Sequence, residues 1–401
     1  MQRTFIIIGI VAAIVAIGAG VYFFFFAQGP GVVVAPSGVT LPIAGQTSGG
    51  TGGATTLPEA GSITASPTNV SARLVKISAG PVVPGAIIID TKPSTASGTP
   101  DRLVQYLEQE SGNVFSYSAN TGVITRINNK TIPGIQTATW LPNASAALVR
   151  YLSGADFSTI NTYLLAASSS SGSFLAQNLG TVAVSATKIL TLASGVTGSV
   201  GSLARADGSH PTTVFATPLT SLSASFAGKS QYLIYTKPSA LLDGYAFLVD
   251  SAGRFSRVAG PLPGLVALAS PSGKQVLVSY ALQSSMHTEL VNTATGEIIP
   301  LPIGTIADKC VWTADEKALY CGVPVSPSAN AHYPDDWYRG TLSFSDRIWK
   351  IDTVSRYAQM ILDFSQMHAA AIDVTAPAID PAASLLVFLN KNDGSLWGYT
   401  L

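Results

Sequence analysis

A short turn between two apolar runs recurs along this chain at a nearly constant interval, and that interval restricts the fold more than any other feature. The fullest copy, at 268–280, reads Leu-Ala-Ser-Pro-Ser-Gly-Lys-Gln-Val-Leu-Val-Ser-Tyr; others lie at 140–151, 224–235, 312–320 and 379–388, with a weaker one at 184–190. Each predicts a β-hairpin, because β-branched and aromatic runs on either side of turn-forming residues are strand, turn and strand in succession. The turns at Asn143, Thr187, Gly228, Gly273 and Glu316 are spaced roughly 41 to 45 residues apart, the period of a four-stranded propeller blade. A second hairpin type falls between the first, at 113–126, 245–257 and 289–299. Its turn carries Gly after a polar or small residue, where the backbone needs positive φ.

Two hairpins per period make a four-stranded sheet, which has two apolar faces and buries them by stacking radially on its neighbours. The predicted fold class is therefore all-β, a β-propeller of about seven four-stranded blades, with six and eight left open by the irregular stretch 72–100. The last copy stops at Leu401, one strand short. The apolar segment 72–77 predicts the missing outer strand, which would close the ring and remove its exposed edges.

The turn Ser-Pro-Ser-Gly-Lys at 270–274, echoed by Asp380 with Pro381 and by Gly228 with Lys229, resembles the repeated Ser-Pro-Asp-Gly-Lys hairpin of WD40-like bacterial envelope propellers, the TolB-type domain among them. The resemblance covers roughly the last 330 residues and speaks to architecture before function. The chain is also similar to bacterial proteins that combine one N-terminal anchor with such a propeller. For TolB-type propellers the resemblance implies protein binding.

Residues 5–26 hold no charged side chain and end in an aromatic run. As a helix they would be about 33 Å long, enough for a bilayer core of about 30 Å. This predicts a transmembrane helix. A cleavable signal peptide is the competing reading, but its apolar region is usually shorter and is followed by a small-residue cleavage site. Arg3 is the only charge before Glu59, so the positive-inside rule places residues 1–4 in the cytoplasm and the rest outside. Residues 27–70, dominated by Gly, Ser, Thr and Pro, read as a flexible linker with a typical span of about 35 Å. The propeller is assigned to 71–401. These bounds predict a single-pass protein of the cytoplasmic membrane whose propeller lies on the outer side.

Charge narrows the partners. Only 11% of the 401 residues are charged and the formal net charge is zero, so no basic field attracts nucleic acid. The expected partner is an envelope protein, with the membrane engaged through the N-terminal helix. Cys310 and Cys321 flank a predicted hairpin in which Trp312 faces Leu319, so the two cysteines face each other. A disulfide and a pair of buried thiols both fit that placement. No ligand spacing for a metal is present, and no cofactor is expected.

No nucleophile elbow, zinc-protease helix, phosphate loop or paired-carboxylate motif occurs, so no catalytic residue is assigned. His210, His287, His332 and His368 are far apart in sequence, although propeller blades can bring such residues together. Asp207 with Gly208 and Asp393 with Gly394 read as turns rather than calcium loops. The run 168–172 reads as an exposed hairpin tip.

The repeat is interrupted between Cys321 and Ile348 by roughly twenty extra residues. The insert contains Tyr333, Asp335, Asp336, Trp337, Tyr338 and Arg339, a dense amphipathic cluster in a weakly charged chain. Aromatics and Arg carry interface energy, which makes these six the candidate binding residues. The alternative is a small core of the insert's own, with Arg339 pairing Asp335 or Asp336. The leading functional expectation is a tethered interaction or scaffold module. An envelope enzyme acting on glycan or peptide at the propeller axis is the alternative, as is a sensor of glycans or small ligands.

Overall fold

Each of the two hairpin types supplies half a blade. The computed structural model describes residues 68–69, 71, 73–91, 100–367 and 371–401. It contains seven antiparallel sheets, the blades, spanning 87–128, 135–174, 179–217, 222–263, 266–300, 310–363 and, for the seventh, 374–400 joined by N-terminal strands. The described residues form an all-β, seven-bladed propeller. The first hairpin type forms the two inner strands, as in Val266–Ala269 with Gln275–Leu282, and the second forms the two outer ones, as in Ser285–Asn292 with Ile298–Pro300.

The burial patterns explain the sequence. Second strands are enclosed by blades on both sides, so they read as continuous apolar runs without alternation. Leu385–Asn390 is buried at every position, as are Val276, Leu277 and Val278. Core clusters bridge adjacent blades: Leu107 and Val114 of the first pack with Trp140, Val149 and Tyr163 of the second.

Closure follows the sequence expectation. Strand β1 (Thr68–Asn69) pairs with β2 (Leu74–Lys76), and β2 pairs with the final strand Leu396–Thr400 in the register Leu74↔Tyr399, Val75↔Gly398, Lys76↔Trp397. Arg73 adds a side-chain hydrogen bond to the Thr400 carbonyl at 2.8 Å and lies over the Tyr399 ring. The seventh sheet thus has five strands. The irregular stretch also supplies Ile87–Asp90, the innermost strand of the first blade.

Because successive strands are antiparallel, both kinds of hairpin turn in each blade point to one face of the ring. The connections between second and third strands, and those between blades, lie on the other. Cys310 and Cys321 oppose each other as expected, with Cα atoms 4.1 Å apart and the sulfurs joined in a disulfide. The expected transmembrane segment 5–26 and linker residues 27–67 lie outside the described residues. Among the described residues no helix is long and apolar enough to cross a membrane.

Candidate interaction face

The insert occupies 325–345, between the second strand Ala318–Pro324 and the third strand Asp346–Asp352 of the sixth blade, and so emerges on the connection face. Its one helical turn, α1 (Asp335–Tyr338), is the only α-helix among the described residues. Tyr333 and Trp337 are buried, each stacked on Phe344 at 6.1 Å and 6.5 Å between ring centroids. They anchor the insert, which has a small core of its own.

Beneath those rings lies a buried charged network. The Lys309 ammonium meets Asp346 Oδ2 at 2.8 Å and also contacts Asp373, with all three side chains fully buried. Asp373 in turn accepts from Trp337 Nε1, at 3.0 Å and 2.9 Å to its two oxygens, and from the Phe344 amide at 3.0 Å. Lys309 lies 4.9 Å from the Trp337 ring and 4.8 Å from that of Phe344, while the Lys391 ammonium lies 4.8 Å from the Trp337 ring and donates to the Trp337 carbonyl. Buried charges are tolerated only when paired and hydrogen-bonded, and this arrangement meets that condition while tying the insert to the sixth and seventh blades. One atom is left out: among the described residues nothing donates to the buried Asp346 Oδ1. Burial pushes the Asp346 carboxyl up to about 6, although Lys309 pulls the other way.

The far end of the insert rests on the fourth blade. Asp335 Oδ1 accepts from the Ala240 amide at 3.1 Å, and a Cβ on Gly264 would lie 2.5 Å from the Tyr333 carbonyl oxygen, so only glycine permits that approach. Asp336 accepts from the His332 amide at 2.8 Å and pairs with Arg339 at 3.2 Å. Of the six candidate residues, then, Tyr333 and Trp337 are interior, Asp335 and Asp336 are half-buried and hydrogen-bonded, and Tyr338 and Arg339 face solvent.

Tyr338 is 41% exposed and its hydroxyl donates to Asp308 Oδ2 at 2.6 Å. Crowding by protein raises the Asp308 pKa, and the phenols of Tyr338 and Tyr235 are raised chiefly by desolvation and then by that carboxylate. Beside Ala240, on the same face, Leu241 and Leu242 are 78% and 70% exposed. Sequence reasoning missed these leucines, although an apolar pair between the turn residues Pro238 and Gly244 was a visible departure from strand pattern. It also missed Lys309, Asp346 and Asp373. Their only signal was a charge next to a buried strand in a chain poor in charge.

Among the described residues the histidines are not gathered: His210 is on a hairpin turn, His287 stacks on Tyr280 in the fifth blade, and His332 lies against Asp336. His368 lies outside the described residues. Among the described residues no three His, Cys, Asp or Glu side chains form a metal-binding group.

No family model matches the chain, and no curated protein matches it. Among solved structures it is similar to an oligogalacturonate lyase in complex with manganese, with 12% identity over 80% of this chain and 98% of that one, at a TM-score of 0.53. An oligogalacturonate lyase from Vibrio parahaemolyticus gives 11% identity, 82% and 93% coverage and a TM-score of 0.54. TolB from Acinetobacter baumannii gives 11% identity, 79% and 80% coverage and a TM-score of 0.42. At these identities the likeness shows the fold alone. That fold is the β-propeller of seven blades.

Proposed function

We propose that the chain is a protein-interaction module of the cell envelope, held at the outer side of the cytoplasmic membrane by residues 5–26 and presenting its insert-bearing face to a protein partner. The observation that carries this reading is the pairing of a rigidly seated insert with exposed Leu241, Leu242 and Tyr338 on that face. Tyr338 and Arg339 are residue types that anchor interfaces, the exposed leucines on the same face add apolar surface for a partner to cover, and a support already fixed by buried hydrogen bonds loses little freedom on binding. Changing Leu241 and Leu242 together to Ser should abolish recovery of a specific partner by crosslinking from native membranes. Val354→Ser, at a 79% exposed residue on the hairpin-turn face, should leave recovery intact. Equal recovery by both variants would remove the support for this surface.

A second reading has its own observation. Asp308, exposed on the same face with the Tyr338 hydroxyl donating to it, is a titratable carboxyl that a bound substrate could reach, and oligogalacturonate lyases are among the structurally similar proteins. The two readings separate on Tyr338→Phe, which removes the hydroxyl but keeps the aromatic surface. Partner capture should persist in that variant, whereas a turnover activity would fall.

A further inference from the structure

A second concave surface lies away from the insert, between the first two blades. An open cleft of about 740 Å³ separates the connection 129–134 from the outer three strands of the second blade. Its walls include Ile132, Pro133, Leu152, Phe157 and Phe174, and Phe157 and Phe174 are 68% and 63% exposed. Large apolar side chains this open leave apolar surface in water that an occupant of the cleft would cover. Phe157 is doubly unusual, because its φ of 54° places a bulky residue in the left-handed region. Strain of that kind concentrates at ligand clamps.

The cleft contains one cation. Lys130 Nζ donates to Tyr163 Oη at 2.6 Å and to the Ser170 carbonyl at 3.0 Å, and lies 4.5 Å from the centroid of the Tyr163 ring. Phe174 packs edge-on against the same ring at 4.9 Å. The ammonium is therefore held in place on an aromatic floor. Among the described residues it pairs with no carboxylate. Asp156, the acid next to Phe157 in the cleft wall, is turned to the amide and hydroxyl of Ser158.

From this arrangement we propose that the cleft binds a free carboxylic acid with an apolar body, such as an aryl-alkanoic acid, its carboxylate on Lys130 and its body between Phe157 and Phe174. The lining supplies no carboxylate or carboxamide to receive the many hydroxyls of a sugar, which argues against a glycan. A fixed cation without a counter-charge argues for an anion over a neutral apolar occupant. The cleft's volume falls within the range of about 300 to 1,000 Å³ typical of small-molecule sites.

The test is calorimetric titration of the full-length protein in lipid nanodiscs, with empty nanodiscs as the blank, using 4-phenylbutyrate, 4-phenylbutanol and 4-phenylbutylamine. The acid should bind about five- to tenfold more tightly than the alcohol, the increment of a charge-assisted hydrogen bond at a partly open site. The amine should bind least. Phe157→Ala, at an exposed position, should weaken the acid at least about fivefold while leaving the melting temperature unchanged. Lys130→Met keeps the apolar stem and should bring acid and alcohol to equal affinity. No binding by any probe, or equal binding of acid and amine by the unaltered protein, overturns the proposal.

Discussion

Asp346 carries the most informative single charge in the molecule. Its carboxyl is buried, shares Lys309 with Asp373, and has one oxygen to which no described residue donates. With a folded-state pKa of about 6 against an ordinary 3.8, the folded protein holds a proton that the unfolded chain releases. A raised carboxylate pKa destabilises the fold at high pH, and the penalty is relieved as pH falls through 6 towards 3.8. Between pH 7.5 and 5 this amounts to about 1 kcal/mol of stability gained on acidification. The Asp346→Asn variant should lack that gain, so chemical denaturation of both proteins at the two pH values should give curves that converge or cross. Parallel curves would contradict the assignment. At this scale the sequence was only partly legible. The density of Tyr333, Asp335, Asp336, Trp337, Tyr338 and Arg339 drew attention to the right segment, but Lys309, Asp346 and Asp373 come together only through folding, across long separations in the chain.

The repeated hairpins show why the elements were easier to read than the residues. The tight turn at 270–273 places Gly273 at φ +76°, and the equivalent positions in other blades are Ala144 at 55°, Gly228 at 75°, Glu316 at 61° and Ala383 at 52°. The left-handed residue is retained in the backbone while its identity drifts, so the motif degenerates but the flanking apolar runs keep the hairpin visible. The same geometry gives opposite substitution effects. A Cβ on Gly273 would lie 2.7 Å from the Ala227 carbonyl group of the neighbouring blade, so Gly273→Ala should destabilise by more than about 1 kcal/mol. Ala383→Gly relieves the left-handed penalty on an alanine and should be neutral or stabilise by up to about 1 kcal/mol. Thermal melts of the two variants would check this, and a stabilising Gly273→Ala would refute it. The stretch 72–100 was illegible as a repeat for a physical reason: β2 takes its partner from Leu396–Thr400 rather than from a neighbour in sequence. The serine run at 168–172 is exposed, as expected of a hairpin tip, and Asn128 donates to the Ser169 carbonyl and Lys130 to that of Ser170, which docks the tip on the first blade.

For the whole molecule, ring closure leaves two unlike faces. One is made of tight hairpin turns; the other carries the interblade connections and the insert, pinned from the fourth blade to the seventh. The architecture was legible because a blade is a local unit repeated, whereas the use made of a face depends on which side chains remain outside after packing. Trp337 is interior and Leu242 is exposed, the reverse of what residue type alone suggests for an aromatic-rich contact loop. The central claim is that the insert-bearing face receives a protein partner. Its most direct test is photo-crosslinking in living cells with a benzoylphenylalanine placed singly at Leu242, Tyr338 and Val354 of the full-length chain. The account predicts one and the same envelope protein in the adducts from Leu242 and Tyr338, and no such adduct from Val354. Adducts from Val354 alone, or the same products from both faces, would contradict it.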